Sequence, residues 1–361
     1  MDKEDESLFT FFCLKPMKKK NMKIFVCIPA TLFITAGYKK RIRKLTAFSK
    51  LGFPIKRNLF SITAVCLLML VFSCSSLAQT KLKPSAEIPF EFYKNLIFLE
   101  VKINGKGPFN MMLDTGTTPS ALDLAVAREL GLNPKSSGQN AVGGGTGTNT
   151  FYDLKPLNIS VGKLKAKNIE TSAGDLSAIS NALGKSLHGV LGHSFLNNRI
   201  IQIDYPKRLL RLYSKPLHQV SNKQANSSVG TLLPFRYAND SILIDDVEID
   251  GNKITTLFDT GFNGNFNVMP KFISSLNLRE EFNNAKPKMA VGFKGKATSR
   301  EGIIKTVKIG NLSIDSPSVI FWEEGTGHDT TSYGFTIGNG FLKDFIVTID
   351  YQSSIIMLEK N

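Results

Sequence analysis

Two copies of one short pattern carry the residues with the most chemistry to offer. Met111-Met112-Leu113-Asp114-Thr115-Gly116-Thr117 is an apolar run that stops on a carboxylate, and Thr256-Leu257-Phe258-Asp259-Thr260-Gly261 repeats it 145 positions later. A lone Asp-Thr-Gly arises by chance in roughly one chain in ten of this length, so the pair gains its meaning from the longer repeat around it. Two carboxylates can hydrolyse an amide with neither metal nor covalent nucleophile, if one takes a proton from water while the other gives one to the carbonyl oxygen or the leaving nitrogen. At about 3 Å and an effective dielectric of about 20, two negative charges repel by about 5 to 6 kcal/mol, or roughly four pK units. One carboxyl group then stays protonated and the pair titrates as a unit. A pseudo-twofold axis is the simplest way to hold two carboxylates that close, each copy contributing one. Within the triplets, Gly116 and Gly261 let a backbone N–H approach the carboxylate, and Thr115 and Thr260 can hydrogen-bond across the axis.

From Glu87 onward the chain reads as short β-branched and aromatic segments separated by Gly, Asn, Asp and Pro, the spacing of an all-β fold. A strand over Asn95 to Ile103, a turn at Asn104-Gly105 and a returning strand over Phe109 to Leu113 deliver Asp114. Ile242 to Ile249, Asp250-Gly251 and Ile254 to Phe258 deliver Asp259 in the same way. A short helix is expected after each triplet, over Leu122 to Leu130 and over Pro270 to Leu276. Next come two Gly-rich hairpins, Gly143-Gly144-Gly145-Thr146-Gly147 and Gly292-Phe293-Lys294-Gly295, read as mobile flaps rather than loose surface loops. The closest correspondence comes last. Leu191-Gly192-His193-Ser194-Phe195-Leu196 through Asp204-Tyr205 matches Ile337-Gly338-Asn339-Gly340-Phe341-Leu342 through Asp350-Tyr351 at an offset of 146. Asp204 and Asp350 precede turns and are read as structural. The expected division is 87–213 and 231–361 for the two units, with a polar linker over 214–230.

The net charge of +15 is unevenly placed. Residues 1 to 83 hold 16 of the 45 Lys/Arg and 4 of the 30 Asp/Glu, which leaves 29 against 26, a net of +3, for the rest. With no basic stripe interleaved with aromatics in that part, nucleic acid is not an expected partner. Cys13, Cys27, Cys66 and Cys74 all precede residue 79, so no disulfide or Cys-based zinc site is available to the repeated body. His188, His193, His218 and His328 follow no standard ligand spacing, and neither metal nor organic cofactor is expected. Lys56-Arg57, the apolar run Leu59 to Phe72 and Ser76-Leu77-Ala78 have the order of an export signal over 56–78, with cleavage after Ala78. A competing reading makes Val71-Phe72-Ser73-Cys74 a lipoprotein box acylated on Cys74, against which Phe72 is bulky; an uncleaved anchor is a third. Residues 1–55 form either an N-terminal extension or an over-long start, and 79–86 a short lead-in. The expected location is therefore periplasmic or extracellular, or lipid-anchored at the envelope, with membrane contact limited to these segments.

The paired Asp-Thr-Gly triplets and paired apolar-apolar-Gly elements resemble those of aspartic peptidases, and more narrowly the retropepsin-like group in which both lobes lie in one bacterial polypeptide. The resemblance covers roughly residues 87 to 361. It implies two pseudo-twofold-related acid-protease β-barrel lobes with a cleft between them, a monomer, and a peptide or protein substrate bound extended under the flaps, Gly143, Gly144, Gly145, Gly292 and Phe293. It also implies that Asp114 and Asp259 are the catalytic pair, supported by Thr115, Gly116, Thr117, Thr260 and Gly261. Val190-Leu191-Gly192 and Thr336-Ile337-Gly338 would be threaded behind the two loops. Thr117 fits the small or hydroxyl residue usual after the triplet, whereas Phe262 does not, and Thr336 stands where an apolar residue is usual. Two glycine hairpins suit the retropepsin plan better than the single flap of pepsin. The other reading open to the same fold is a catalytically idle protein that binds peptide or envelope material.

Overall fold

A computed structural model describes residues 83–140, 144–214, 230–238 and 240–360. The extension, the export signal with Cys74 and Ala78, Gly143 and nearly all of the linker lie outside these residues. Within them the chain is all-β with a few short helices, of which the longest, Ser177–Leu183, has seven residues.

The base is a six-stranded sheet to which both halves contribute three strands. Ala86–Pro89, Leu209–Tyr213 and Ile200–Asp204 come from the first half; Phe345–Asp350, Ile355–Lys360 and Thr231–Pro234 come from the second. The halves meet where Ile200–Asp204 pairs antiparallel with Phe345–Asp350. Gln202 faces Thr348 there, and the Gln202 amide donates to Thr348 Oγ1 at 3.2 Å across 146 positions. That separation equals the repeat offset, so equivalent residues face each other and the pseudo-twofold axis passes between them. Asp204 and Asp350 cap the turns that follow: Asp204 Oδ1 accepts from Lys207 N–H at 3.0 Å, and Asp350 Oδ1 accepts from Gln352 and Ser353 N–H, each at 3.0 Å.

Above this base the halves differ. The first builds one ten-stranded sheet, the second an eight-stranded and a four-stranded sheet. The cause is visible in the delivering hairpins. In the first copy Leu96–Ile103 and Lys106–Leu113 run unbroken around Asn104 and Gly105, at φ 48° and 83°, which suit the right-handed twist of a two-residue hairpin. In the second the same turn conformation recurs at Asp250 and Gly251, at φ 48° and 83°, but the strand ahead of it is cut at Asp245-Asp246 into Ser241–Ile244 and Val247–Ile249. Two adjacent charges cannot both face solvent on a strand that alternates faces, so the strand changes sheet.

The helix after the first triplet spans Leu124–Glu129, opened by Asp123, whose carboxylate accepts from Ala125 N–H at 3.0 Å. After the second triplet a 3₁₀ turn over Pro270–Phe272 replaces the expected helix; no side chain caps its start. One apolar core runs through both halves. It takes Met111, Leu113, Leu122 and Leu191 from the first copy and Phe258, Phe266, Phe335 and Ile337 from the second. No helix among the described residues is long and apolar enough to cross a membrane.

Candidate active site

Each Asp-Thr-Gly loop is suspended between three strands. In the first half Lys106–Leu113 leads in, Ser120–Asp123 leads out, and Gly189–Leu191 threads between them, parallel to the first and antiparallel to the second. In the second half Thr256–Phe258, Phe266–Val268 and Phe335–Ile337 repeat the arrangement. The threaded strands hold the aspartate backbones: Asp114 N–H donates to the Leu191 carbonyl at 3.1 Å and Asp259 N–H to that of Ile337 at 3.0 Å.

The loops then lock to each other. Thr115 N–H donates to Thr260 Oγ1 and Thr260 N–H to Thr115 Oγ1, both at 3.0 Å. The hydroxyls complete the exchange, Thr115 Oγ1 donating to the Phe258 carbonyl at 2.9 Å and Thr260 Oγ1 to that of Leu113 at 3.1 Å. Both threonines are buried, where such bonds have no competition from water. The glycines permit the approach: a Cβ on Gly116 would meet the carboxyl group of Asp259, and one on Gly261 that of Asp114.

The lock brings the two carboxyl groups close enough that each perturbs the other's ionisation. Both have pKa values above the ordinary carboxylate range, chiefly because burial penalises the charged form. Asp259 is raised further, since the charge of Asp114 adds to the effect of burial. Asp114 is better supplied with donors: Thr117 Oγ1 donates to its Oδ2 at 2.7 Å and Gly116 N–H to its Oδ1 at 2.7 Å. Asp259 receives Gly261 N–H at 2.7 Å and a backbone contact from Phe262. No hydroxyl stands opposite Thr117, because the Phe262 ring turns away to lie against the backbones of Gly264 and Gly338.

The glycine segments of the two halves meet each other. Lys286–Gly292 and Gly295–Ile303 form a regular hairpin with Phe293-Lys294 at its tip. The first segment lies in the longer loop of another antiparallel hairpin, Lys135–Asn140 with Thr150–Asp153. Its loop lies across the second hairpin, with Lys294 N–H donating to the Gly144 carbonyl at 2.9 Å, Gly147 N–H to that of Lys294 at 2.8 Å, and Thr146 N–H to that of Lys296 at 3.1 Å. Gly145 adopts φ +129° in this crossing, and a Cβ there would run into the Lys294 backbone.

Several residues of the site carry no motif. Asn339 Nδ2 donates to the Thr260 carbonyl at 2.6 Å, and Tyr205 O–H donates to Asn339 Oδ1 at 2.6 Å, a buried relay from one half to the other's loop. Tyr205 falls in the repeated segment, so a Tyr retained in both copies was the signal available. The burial of Tyr333 raises its phenol pKa, with the charges of Asp259 and Asp114 contributing; nothing in the sequence distinguishes it from a core tyrosine. Among the described residues no group of three or more His, Cys, Asp or Glu is placed to hold a metal.

No curated protein sequence matches the chain. Among solved structures, the crystal structure of basic 7S globulin from soybean superposes with a TM-score of 0.42 at 9% identity, covering 76% of this chain and 94% of that one. Residues 99–198 match the family described as gag-polyprotein putative aspartyl protease. That segment contains the first Asp-Thr-Gly loop, its flanking strands and the threaded strand.

Proposed function

We propose that the protein is an exported aspartic endopeptidase in which Asp114 and Asp259 activate a water molecule between them. The observation that carries this reading is the pair of buried carboxyl groups, each perturbing the other's ionisation, each with a raised pKa and each set against the other half's triplet glycine by the reciprocal threonine exchange. Asp114, supplied with the hydroxyl of Thr117, is the ionised partner, and Asp259 holds the shared proton. As the carboxylate of Asp114 takes a proton from water, the oxygen of that water bonds to the scissile carbonyl carbon, and Asp259 protonates the carbonyl oxygen. Collapse of the tetrahedral diol returns one hydroxyl proton to Asp259 as the C–N bond breaks, while Asp114 passes its proton to the leaving nitrogen. Both groups end as they began. The peptide lies extended beneath the crossed glycine segments, which open to admit it. Export relies on the signal over 56–78, with the lipid anchor at Cys74 as the competing route to the envelope.

The purified protein should cleave denatured protein or a peptide library at some pH between about 3 and 7. Asp114→Asn and Asp259→Asn should each abolish cleavage, and persistence in either removes the dyad assignment. One observation favours a second reading, a peptide-binding protein without turnover: the outer oxygen of Asp259 lacks the hydroxyl donor that Asp114 has. A binding protein would hold peptides and release them intact. Tight capture of a statine-type transition-state mimic, lost on mutating either aspartate, decides for the enzyme.

A further inference from the structure

Beside each carboxylate the three strands set out one cross-strand row. In the first half it is Met112, Val190 and Ala121; in the second it is Leu257, Thr336 and Asn267. The residues alternating with them point into the main core, so both rows occupy the opposite face. The first row is apolar and belongs to a cluster with Leu96 and Phe98, against which Phe293 packs from the other half's hairpin tip. An apolar side chain from across the cleft already sits there.

The second row is as deeply buried but polar. Thr336 and Asn267 are 1% and 4% exposed, yet Thr336 Oγ1 and Asn267 Oδ1 have no hydrogen-bond partner among the described residues. Asn267 pairs with Ile320, and Trp322, two residues on, shares that face. Trp322 is 6% exposed and its Nε1 is also unpartnered. Next to it, at 4.3 Å between ring centroids, His328 leaves both ring nitrogens unpartnered beneath Gly144. Burial lowers its pKa to about 4, so the ring is neutral, with one donor and one acceptor nitrogen. More than about nine in ten buried polar groups are paired in folded proteins. Here five such atoms go unpaired, two on the strands flanking the Asp259 loop and three on Trp322 and His328 beyond them, with donors and acceptors mixed.

Building on the peptidase reading, we propose that the second half's face is a subsite for a substrate asparagine or glutamine side chain, while the first half's row takes a large apolar one. A carboxamide supplies the acceptor that Trp322 Nε1 requires and the two donors that Asn267 Oδ1 and Thr336 Oγ1 can accept. A carboxylate would add a third negative charge near the aspartates, and a buried ammonium would lack a paired anion.

The test uses the full chain and peptide pairs identical except for glutamine against leucine at each position flanking the cleaved bond. The expected result is a preference for glutamine of at least about tenfold in kcat/KM, confined to one side of the bond. Thr336→Val combined with Asn267→Leu should bring that ratio to one or below, and Thr336→Ser alone should keep it. Leucine preferred on both sides, or a ratio that the double variant leaves unchanged, overturns the proposal. If the wild type cleaves neither these peptides nor the library, the peptidase reading falls by itself. Calorimetric binding of the same pair then decides the subsite: tighter binding of glutamine that the double variant loses supports it, and equal binding overturns it.

Discussion

The two halves of this molecule agree where they touch and differ where each faces the cleft alone. Across the axis the copies are interchangeable: the amide halves of the threonine exchange are both 3.0 Å, the hydroxyl halves 2.9 and 3.1 Å, and Gln202 meets Thr348 in register. Away from the axis the equivalents part company. Thr117 becomes Phe262, and the apolar row Met112, Val190 and Ala121 becomes Leu257, Thr336 and Asn267. A shared interface constrains both copies at once, since a change in either strands a buried partner in the other. A residue that meets only substrate or solvent carries no such constraint.

The largest effect should come from the shared part. Thr115→Val leaves the Thr260 N–H and the Phe258 carbonyl buried without partners, and Thr260→Val does the same to Thr115 and Leu113. Each should cost about 2 to 4 kcal/mol in denaturant unfolding, and the two should agree closely; a wide difference breaks the claim of equivalence. Next are the aspartates as stability elements. A carboxyl group raised on folding stabilises the protein fully below its unfolded pKa and loses that contribution as pH rises through the folded value. Asp259 is raised further than Asp114. Because the pair titrates as a unit, either Asp259→Asn or Asp114→Asn should therefore raise the melting temperature relative to wild type at pH 7, with the gain vanishing near pH 3.

The pH profile sharpens the contrast at the loops. Thr117→Ala removes the 2.7 Å bond to Asp114, so the acid limb of kcat/KM should move up by about one pH unit. Phe262→Ser offers Asp259 a hydroxyl and should move the alkaline limb down by a similar amount. The smallest effect concerns the tyrosines. Tyr205→Phe deletes the 2.6 Å bond to Asn339 and should cost about 1 kcal/mol. The equivalent Tyr351 is buried with its hydroxyl unpartnered, and Tyr351→Phe should be neutral or slightly stabilising.

What the sequence showed well was whatever both copies spell alike. The Asp-Thr-Gly pair, the Asn-Gly and Asp-Gly turns and the threaded Gly elements are local, and their physics is local too. The break at Asp245-Asp246 was legible only with the knowledge that this strand needs one solvent face in each of two sheets. The 3₁₀ turn at Pro270 lost to its missing cap, and the crossing of Gly144 over Lys294 depends on contacts 150 residues apart. Thr336 stood out in the sequence as a polar residue in an apolar place. That Asn267 and Trp322 share its face, equally unpaired, required the strand register.

The six-stranded base has a consequence for how the chain comes to be made. Ile200–Asp204 is complete long before Phe345–Asp350 exists, and until then it presents a free sheet edge of β-branched residues. The register that places Gln202 opposite its own equivalent is the register in which two copies of the first half would join about a true twofold. A nascent or truncated first half thus carries a self-complementary seam, and synthesis of Phe345–Asp350 is what closes it within one molecule.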